Sequence, residues 1–160
     1  MNQSFSANDA VSIAIEKHAD MVRRICFLYL KNNADVEDVF QEVFLKYFLN
    51  NATLQSEEHQ KAWLCTVTFN KCKDLCRSNW RKKTVSIEDA DIPYYENPEH
   101  NDLIKVILQL SPEHKQIIYL HYYEGLTIPE IAESMKKNIN TIYSQLRRAK
   151  KQLKEKVGDI

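Results

Sequence analysis

The amino-acid sequence predicts an all-α protein made of two small helical domains joined by an acidic linker. Three observations carry that prediction. The 160 residues include only 2 glycines and 4 prolines, too few for the many tight turns of an all-β fold. Apolar residues recur at i, i+3, i+4 spacing over most of the chain. Residues 84–101 break that recurrence with Pro93, Pro98 and a run of acids. The expected divisions are 10–83, 84–101 and 102–156, and either helical part can bury a core of its own.

The first helix is expected from about Ala10 to Lys31, with Ile15, Ala19, Val22, Ile25, Cys26 and Tyr29 as its apolar stripe and Asn32-Asn33 as its stop. The second is the most regular. Val36, Val39, Phe40, Val43, Phe44, Tyr47 and Phe48 repeat at helical spacing, and Asp35 is placed to cap the start. Its other face carries Glu37, Asp38, Gln41 and Glu42. A polar loop is expected from Asn50 to about His59. The third helix follows from about Gln60 to Arg81, with Trp63, Leu64, Val67, Leu75 and Cys76 as core candidates and a basic far end.

Helical pattern resumes at Asp102 with Leu103, Val106, Ile107 and Leu110. Ser111-Pro112 restarts a helix with a cap residue and a proline at its first position. Ile117, Ile118, Leu120 and Tyr122 supply its apolar side, and Gly125 ends it. Thr127-Ile128-Pro129-Glu130 has the form of a capping box, since Thr127 can cap and Glu130 can reach back. Ile131, Ala132 and Met135 face inward on that short helix. After a turn over Lys136–Ile139, Asn140 or Thr141 caps a last helix with Ile142, Leu146, Ala149 and Leu153 inward.

The 22 basic and 22 acidic residues cancel, but they are segregated. Arg147, Arg148, Lys150, Lys151, Lys154 and Lys156 cluster near the C-terminus, against Glu155 alone. Lys71, Lys73, Arg77, Arg81, Lys82 and Lys83 form a second cluster, against Asp74 alone. Glu88, Asp89, Asp91, Glu96, Glu99 and Asp102 occupy a stretch without Lys or Arg. Such blocks point to two surfaces for anionic partners and a self-repelling acidic connector.

Several classes are disfavoured. No apolar run has the length of a signal peptide's core or of a ~20-residue membrane span, so a cytoplasmic protein without membrane insertion is expected. Cys26, Cys65, Cys72 and Cys76 are then expected as thiols. Cys72 and Cys76 have the i, i+4 spacing of a metal pair, but no CxxC or HExxH motif accompanies them, and helical packing is the better account. The five histidines have no catalytic partner arrangement, and two glycines hardly suffice for a phosphate loop. No enzyme, cofactor, metal or small-molecule substrate is expected.

A short helix, a turn and a longer helix rich in Arg and Lys form the arrangement of a helix-turn-helix. In that arrangement the first helix braces on the DNA backbone while the second enters the major groove. Tyr143, Ser144, Arg147 and Arg148 point away from the apolar stripe of the last helix, and Gln145 lies between the two faces. On this pattern alone, a stand-alone DNA-binding regulator, a protein adaptor and a plain three-helix bundle with a solvated basic surface all remain open.

The residues also resemble a known family. Leu110-Ser111-Pro112, Glu124-Gly125-Leu126-Thr127, Glu130-Ile131-Ala132 and Thr141 through Ala149 are similar to region 4 of bacterial sigma factors. Asp35 through Phe44 resembles region 2.2, and Ala62-Trp63-Leu64, Asn70, Asp74-Leu75 and Arg77 fall where regions 2.3 and 2.4 would place them. Two regions and a short linker resemble the extracytoplasmic-function class of the sigma-70 family. The resemblance implies that core RNA polymerase binds Asp35, Glu37, Asp38, Gln41 and Glu42. It implies −10 promoter contacts by Asn70, Lys71, Lys73, Asp74, Arg77 and Arg81, with DNA melting. It implies −35 contacts by Thr141, Tyr143, Ser144, Gln145, Arg147, Arg148 and Lys151, and an anti-sigma factor as a further partner. Gln145, Tyr143, Phe69 and Thr66 stand where basic residues are frequent, and Lys136 where the turn often has Gly, which implies weaker phosphate attraction.

Overall fold

The computed structural model describes residues 7–50, 56–82 and 105–158, with side chains over 9–50, 56–78 and 105–156. The linker 84–101, the loop 51–55, Leu103 and the side chain of Arg81 lie outside the described residues. All regular structure among the described residues is helical, and no helix there is long and apolar enough to cross a membrane. The chain divides into two compact units, Met1–Ile92 and Pro93–Ile160.

The N-terminal unit contains α1 (Ala7–Tyr29), α2 (Asn33–Asn50) and α3 (Glu57–Lys82), each packed on the other two. Val22, Ile25 and Cys26 of α1, Val36, Val39 and Val43 of α2, and Leu64, Thr68, Phe69 and Cys72 of α3 form its core. The start of α2 is capped by Asn32, where Asp35 had been expected. Asn32 Oδ1 accepts from the Asp35 N–H at 2.8 Å, and the Asn32 amide donates back to the Asp35 carboxylate at 3.0 Å. Asp35 thus occupies the third helical position of a reciprocal cap. Ser56 caps α3, its hydroxyl oxygen accepting from the His59 N–H at 3.1 Å, so that helix starts at Glu57 ahead of the expected Gln60.

The buried face of α3 is also turned from the expected one. Leu64, Cys65, Thr68, Phe69 and Cys72 are buried, whereas Trp63, Val67, Leu75 and Cys76 are only half-buried. Thr68 enters the core because its hydroxyl donates to the Leu64 carbonyl at 2.6 Å, which satisfies the polar group within its own helix. Phe69 meets Tyr29 edge-on at 5.7 Å. Its burial explains the missing positive charge at this position.

The C-terminal unit contains a helical turn at 105–108, then α4 (Pro112–Ile118), α5 (Ile128–Met135) and α6 (Ile139–Gly158). Val106, Leu110, Ile117, Leu120, Ile131, Ile142, Leu146 and Ala149 are among its buried apolar residues. Ser111 caps α4, and Thr127 with Glu130 closes the expected capping box of α5. Asn138 caps α6, in place of Asn140 or Thr141: its Oδ1 accepts from the Asn140 N–H at 2.8 Å.

After Ile118 the chain widens into a π-helical turn, Tyr119–Tyr123, with the Glu124 N–H bonded to the Tyr119 carbonyl at 3.1 Å. The wider turn shifts the register of everything after it. Tyr119 and Leu120 face the core, while Tyr122, expected inside, is 57% exposed beside Tyr123 at 59%.

The turn between α5 and α6 closes with hydrogen bonds from the Lys137 N–H to the Ala132 carbonyl (2.9 Å) and from the Lys136 N–H to the Glu133 carbonyl (3.2 Å). This is a Schellman motif with Lys136 at the left-handed position, φ 54° and ψ 46°. A left-handed non-glycine residue costs about 1–2 kcal/mol, part of which glycine gives back as unfolded-state entropy. Lys136→Gly is therefore expected to stabilise the C-terminal unit by about 0.5–1 kcal/mol. A thermal melt of the variant that fell below the parent would contradict that.

Candidate nucleic-acid interface

Ile142, Leu146 and Ala149 seat α6 on its own unit and leave the opposite face in solvent. Thr141, Tyr143, Arg147, Arg148 and Lys151 are exposed there, Ser144 is half-buried at the edge, and none of the ion pairs among the described residues uses Arg147, Arg148 or Lys151. Gln145 is half-buried on the flank, and its Oε1 is buried without a hydrogen-bond partner.

A groove of about 530 Å³ runs along this face, lined by Ile128 of α5 and by Asn140, Tyr143, Ser144, Leu146, Arg147 and Lys150 of α6. It brings together Tyr143, Ser144 and Arg147 from the expected set. Thr141, Gln145, Arg148 and Lys151 do not line it. Asn140 and Lys150 do, and neither was singled out from the sequence as a DNA contact. Their spacing to Tyr143 and Arg147, repeating at i+3, i+7 and i+10, is the signal that could have found them.

On α3, Asn70, Asp74 and Arg77 are exposed along one side. Arg77 sits 3.6 Å from Asp74, an exposed pair of little energetic weight. Lys71 and Lys73 are half-buried, and the Lys71 ammonium lies 3.3 Å from the Glu42 carboxylate of α2. One candidate DNA-binding cation is thus paired with one candidate polymerase-binding acid. Thr66 is half-buried, with its hydroxyl bonded to the Ala62 carbonyl at 2.9 Å.

On α2, Glu37, Asp38, Gln41 and Glu42 are exposed, and Asp35 is half-buried within its cap. Glu37 is 3.5 Å from Arg23, whose guanidinium lies 4.2 Å over the Phe40 ring. The face continues into Leu45, Phe48 and Leu49, all solvent-exposed. Phe48 had been expected in the core. Phe44 and Tyr47 fill that side of α2, and Phe48 falls past its edge.

The cysteines are engaged in packing. Cys76 donates to the Tyr29 carbonyl at 3.1 Å. A hydrogen bond with Cys26, together with burial, raises the Cys72 thiol far above its ordinary pKa. Both contacts join α3 to α1, and no cluster of three metal-ligating side chains occurs among the described residues.

Known proteins match both units. Residues 14–82 match the family model of sigma-70 region 2, and residues 100–153 that of sigma-70, region 4. RNA polymerase sigma factor SigV of Bacillus subtilis is 30% identical over 142 residues, which span 86% of this chain and 84% of SigV. ECF RNA polymerase sigma factor SigE of Mycolicibacterium smegmatis is 30% identical over 152 residues, spanning 88% of this chain and 59% of SigE. Two solved structures share the fold. The sigma factor RpoE in complex with the anti-sigma factor NepR from Bartonella quintana has a TM-score of 0.76 at 20% identity, over 92% of this chain and 96% of that one. CnrH in complex with the cytosolic domain of CnrY has a TM-score of 0.68 at 17% identity, over 95% of this chain and 90% of that one. The chain belongs to the sigma-70 family of RNA polymerase sigma factors, in its extracytoplasmic-function class.

Proposed function

We infer that this chain binds core RNA polymerase and directs promoter-specific transcription initiation, opening the DNA as it does so. The observation that carries the reading is the presence of both family regions, in order, on one chain. Residues 10–83 are assigned to polymerase and the −10 element, 84–101 to an acidic linker, and 102–156 to the −35 element. The groove and outer face of α6 supply a basic surface for the major groove. Asn70, Asp74 and Arg77 supply hydrogen bonds and charge for an opened strand, with Lys71 and Lys73 beside them, and Arg81 is assigned to the same element from the family resemblance alone. The acids of α2 suit a cationic partner surface. The protein works as an initiation factor in the cytoplasm rather than as an enzyme, and an anti-sigma factor is expected to bind it, as NepR binds RpoE.

Run-off transcription with purified core polymerase on a promoter library tests this directly. Specific starts that depend on the chain are expected, and a chain that neither binds core enzyme nor starts transcripts would defeat the reading. Asp38→Lys is expected to weaken core binding about tenfold, since it sets a repelling charge against a cationic partner. Fluorescence titration of the full chain with core enzyme measures it, and unchanged affinity would remove the acidic face of α2 from the interface.

A further inference from the structure

Two tyrosines stand in solvent on the π turn, and their surroundings differ. Tyr123 stacks on Tyr119 at 5.1 Å with rings 11° apart, and the Tyr119 hydroxyl donates to Glu124 at 2.7 Å. That pair is accounted for by local packing. Tyr122 turns toward α6. His121 meets it edge-on at 4.8 Å, and the Lys150 ammonium lies 5.6 Å from its ring centroid. Lys150 is itself exposed and lines the groove with Arg147, Tyr143 and Asn140. The nearby acids are engaged elsewhere: Glu124 on Tyr119, and Glu130 on Thr127 in the cap of α5.

We propose that Lys150 makes a phosphate-backbone contact beside the recognition helix and that Tyr122 positions it. The ligand is one phosphodiester of duplex DNA, and the proposal rests on the reading that α6 enters the major groove. Length along the helix supports the assignment. Lys150 lies roughly 16 Å along the axis from the start of α6 at 1.5 Å per residue, beyond Arg148, the last side chain assigned to base edges, whereas base contacts in a helix-turn-helix come from the N-terminal part of the recognition helix. A side chain there meets the flanking strand rather than base edges. The ring of Tyr122 holds the ammonium at the groove wall before DNA arrives, which lowers the ordering cost of a flexible lysine on binding. The contact carries no sequence information. It adds affinity and fixes register, and so offsets part of the charge missing at Tyr143 and Gln145.

The experiment uses the full chain assembled with core polymerase and a labelled promoter duplex recovered from the run-off library, titrated over a range of KCl. Lys150→Met is expected to weaken binding roughly five- to tenfold at 0.1 M salt and to lower the slope of log K against log[salt] by about 0.9. The loss should be equal on the selected duplex and on one with a scrambled −35 sequence, and Lys150→Arg should restore the slope. Tyr122→Leu is expected to cost about two- to fivefold, while Tyr122→Phe, which keeps the ring, should match the parent. A parental slope in Lys150→Met, or a loss confined to the selected sequence, would overturn the phosphate contact. Parental binding in Tyr122→Leu would overturn the positioning role. A parent complex that fails to distinguish the two duplexes would instead defeat the underlying reading of α6.

Discussion

Phe69→Ala is expected to lower the unfolding free energy of the N-terminal unit by about 3–5 kcal/mol, the usual range for deleting a buried phenyl ring. The side chain is fully buried and meets Tyr29 edge-on at 5.7 Å. It sits on α3 where that helix contacts α1, so its removal leaves a void between two long helices that cannot close independently. A unit of this size has a total stability of the same order. The variant should therefore be partly unfolded at 37 °C. Trp63 and Trp80, the chain's 2 tryptophans, both lie in this unit, so tryptophan fluorescence during urea unfolding reports on it selectively. A midpoint equal to the parent's would show that the ring is not in the core. Phe69→Arg, which restores the charge that the family resemblance implies here, is expected to be worse still, because it buries an unpaired cation.

That position also marks where the sequence was readable and where it was not. The helices were legible because apolar spacing sustained over long segments has one structural solution, as the buried Val36, Val39, Val43, Phe44 and Tyr47 show. Facing and capping were less so. Along α3 apolar residues lie on more than one side, and Thr68, absent from the expected core residues, belongs to the core once its hydroxyl bonds its own helix. Between α1 and α2 a run of cap-capable residues, Asn32, Asn33 and Asp35, offered several starts, and only backbone geometry selects Asn32. The π turn has no local sequence signature, and a fixed 3.6-residue period places Tyr122 on the wrong side. Ion pairs such as Lys71 with Glu42 depend on two helices meeting and cannot be read from either one. On α6 the outward residues were legible as a face. The groove was not, since one of its walls is Ile128 of another helix.

Arg148→Ala is expected to reduce initiation from the preferred promoter by 1–3 kcal/mol, about 5- to 150-fold, and to flatten preference at one position of the −35 element. Arg148 is exposed on the outer face of α6 and is absent from the groove lining, unlike Arg147. A guanidinium there is free to present its planar fork to guanine O6 and N7, and loss of such a bidentate pair removes discrimination as well as affinity. The two arginines should then differ in kind. Arg147 stands in the same groove as Lys150, and its replacement by alanine is expected to weaken all promoters more evenly. Run-off transcription of both variants on a library randomised at the −35 element separates the cases. Unaltered preference in Arg148→Ala would take this residue out of the base-reading set. Arg148→Lys sharpens the test, because it keeps the charge but not the fork. Affinity should partly return in that variant while preference at the affected position stays flat. If preference returned with the charge, Arg148 would be acting on the backbone, and base reading would fall to Tyr143 and Ser144.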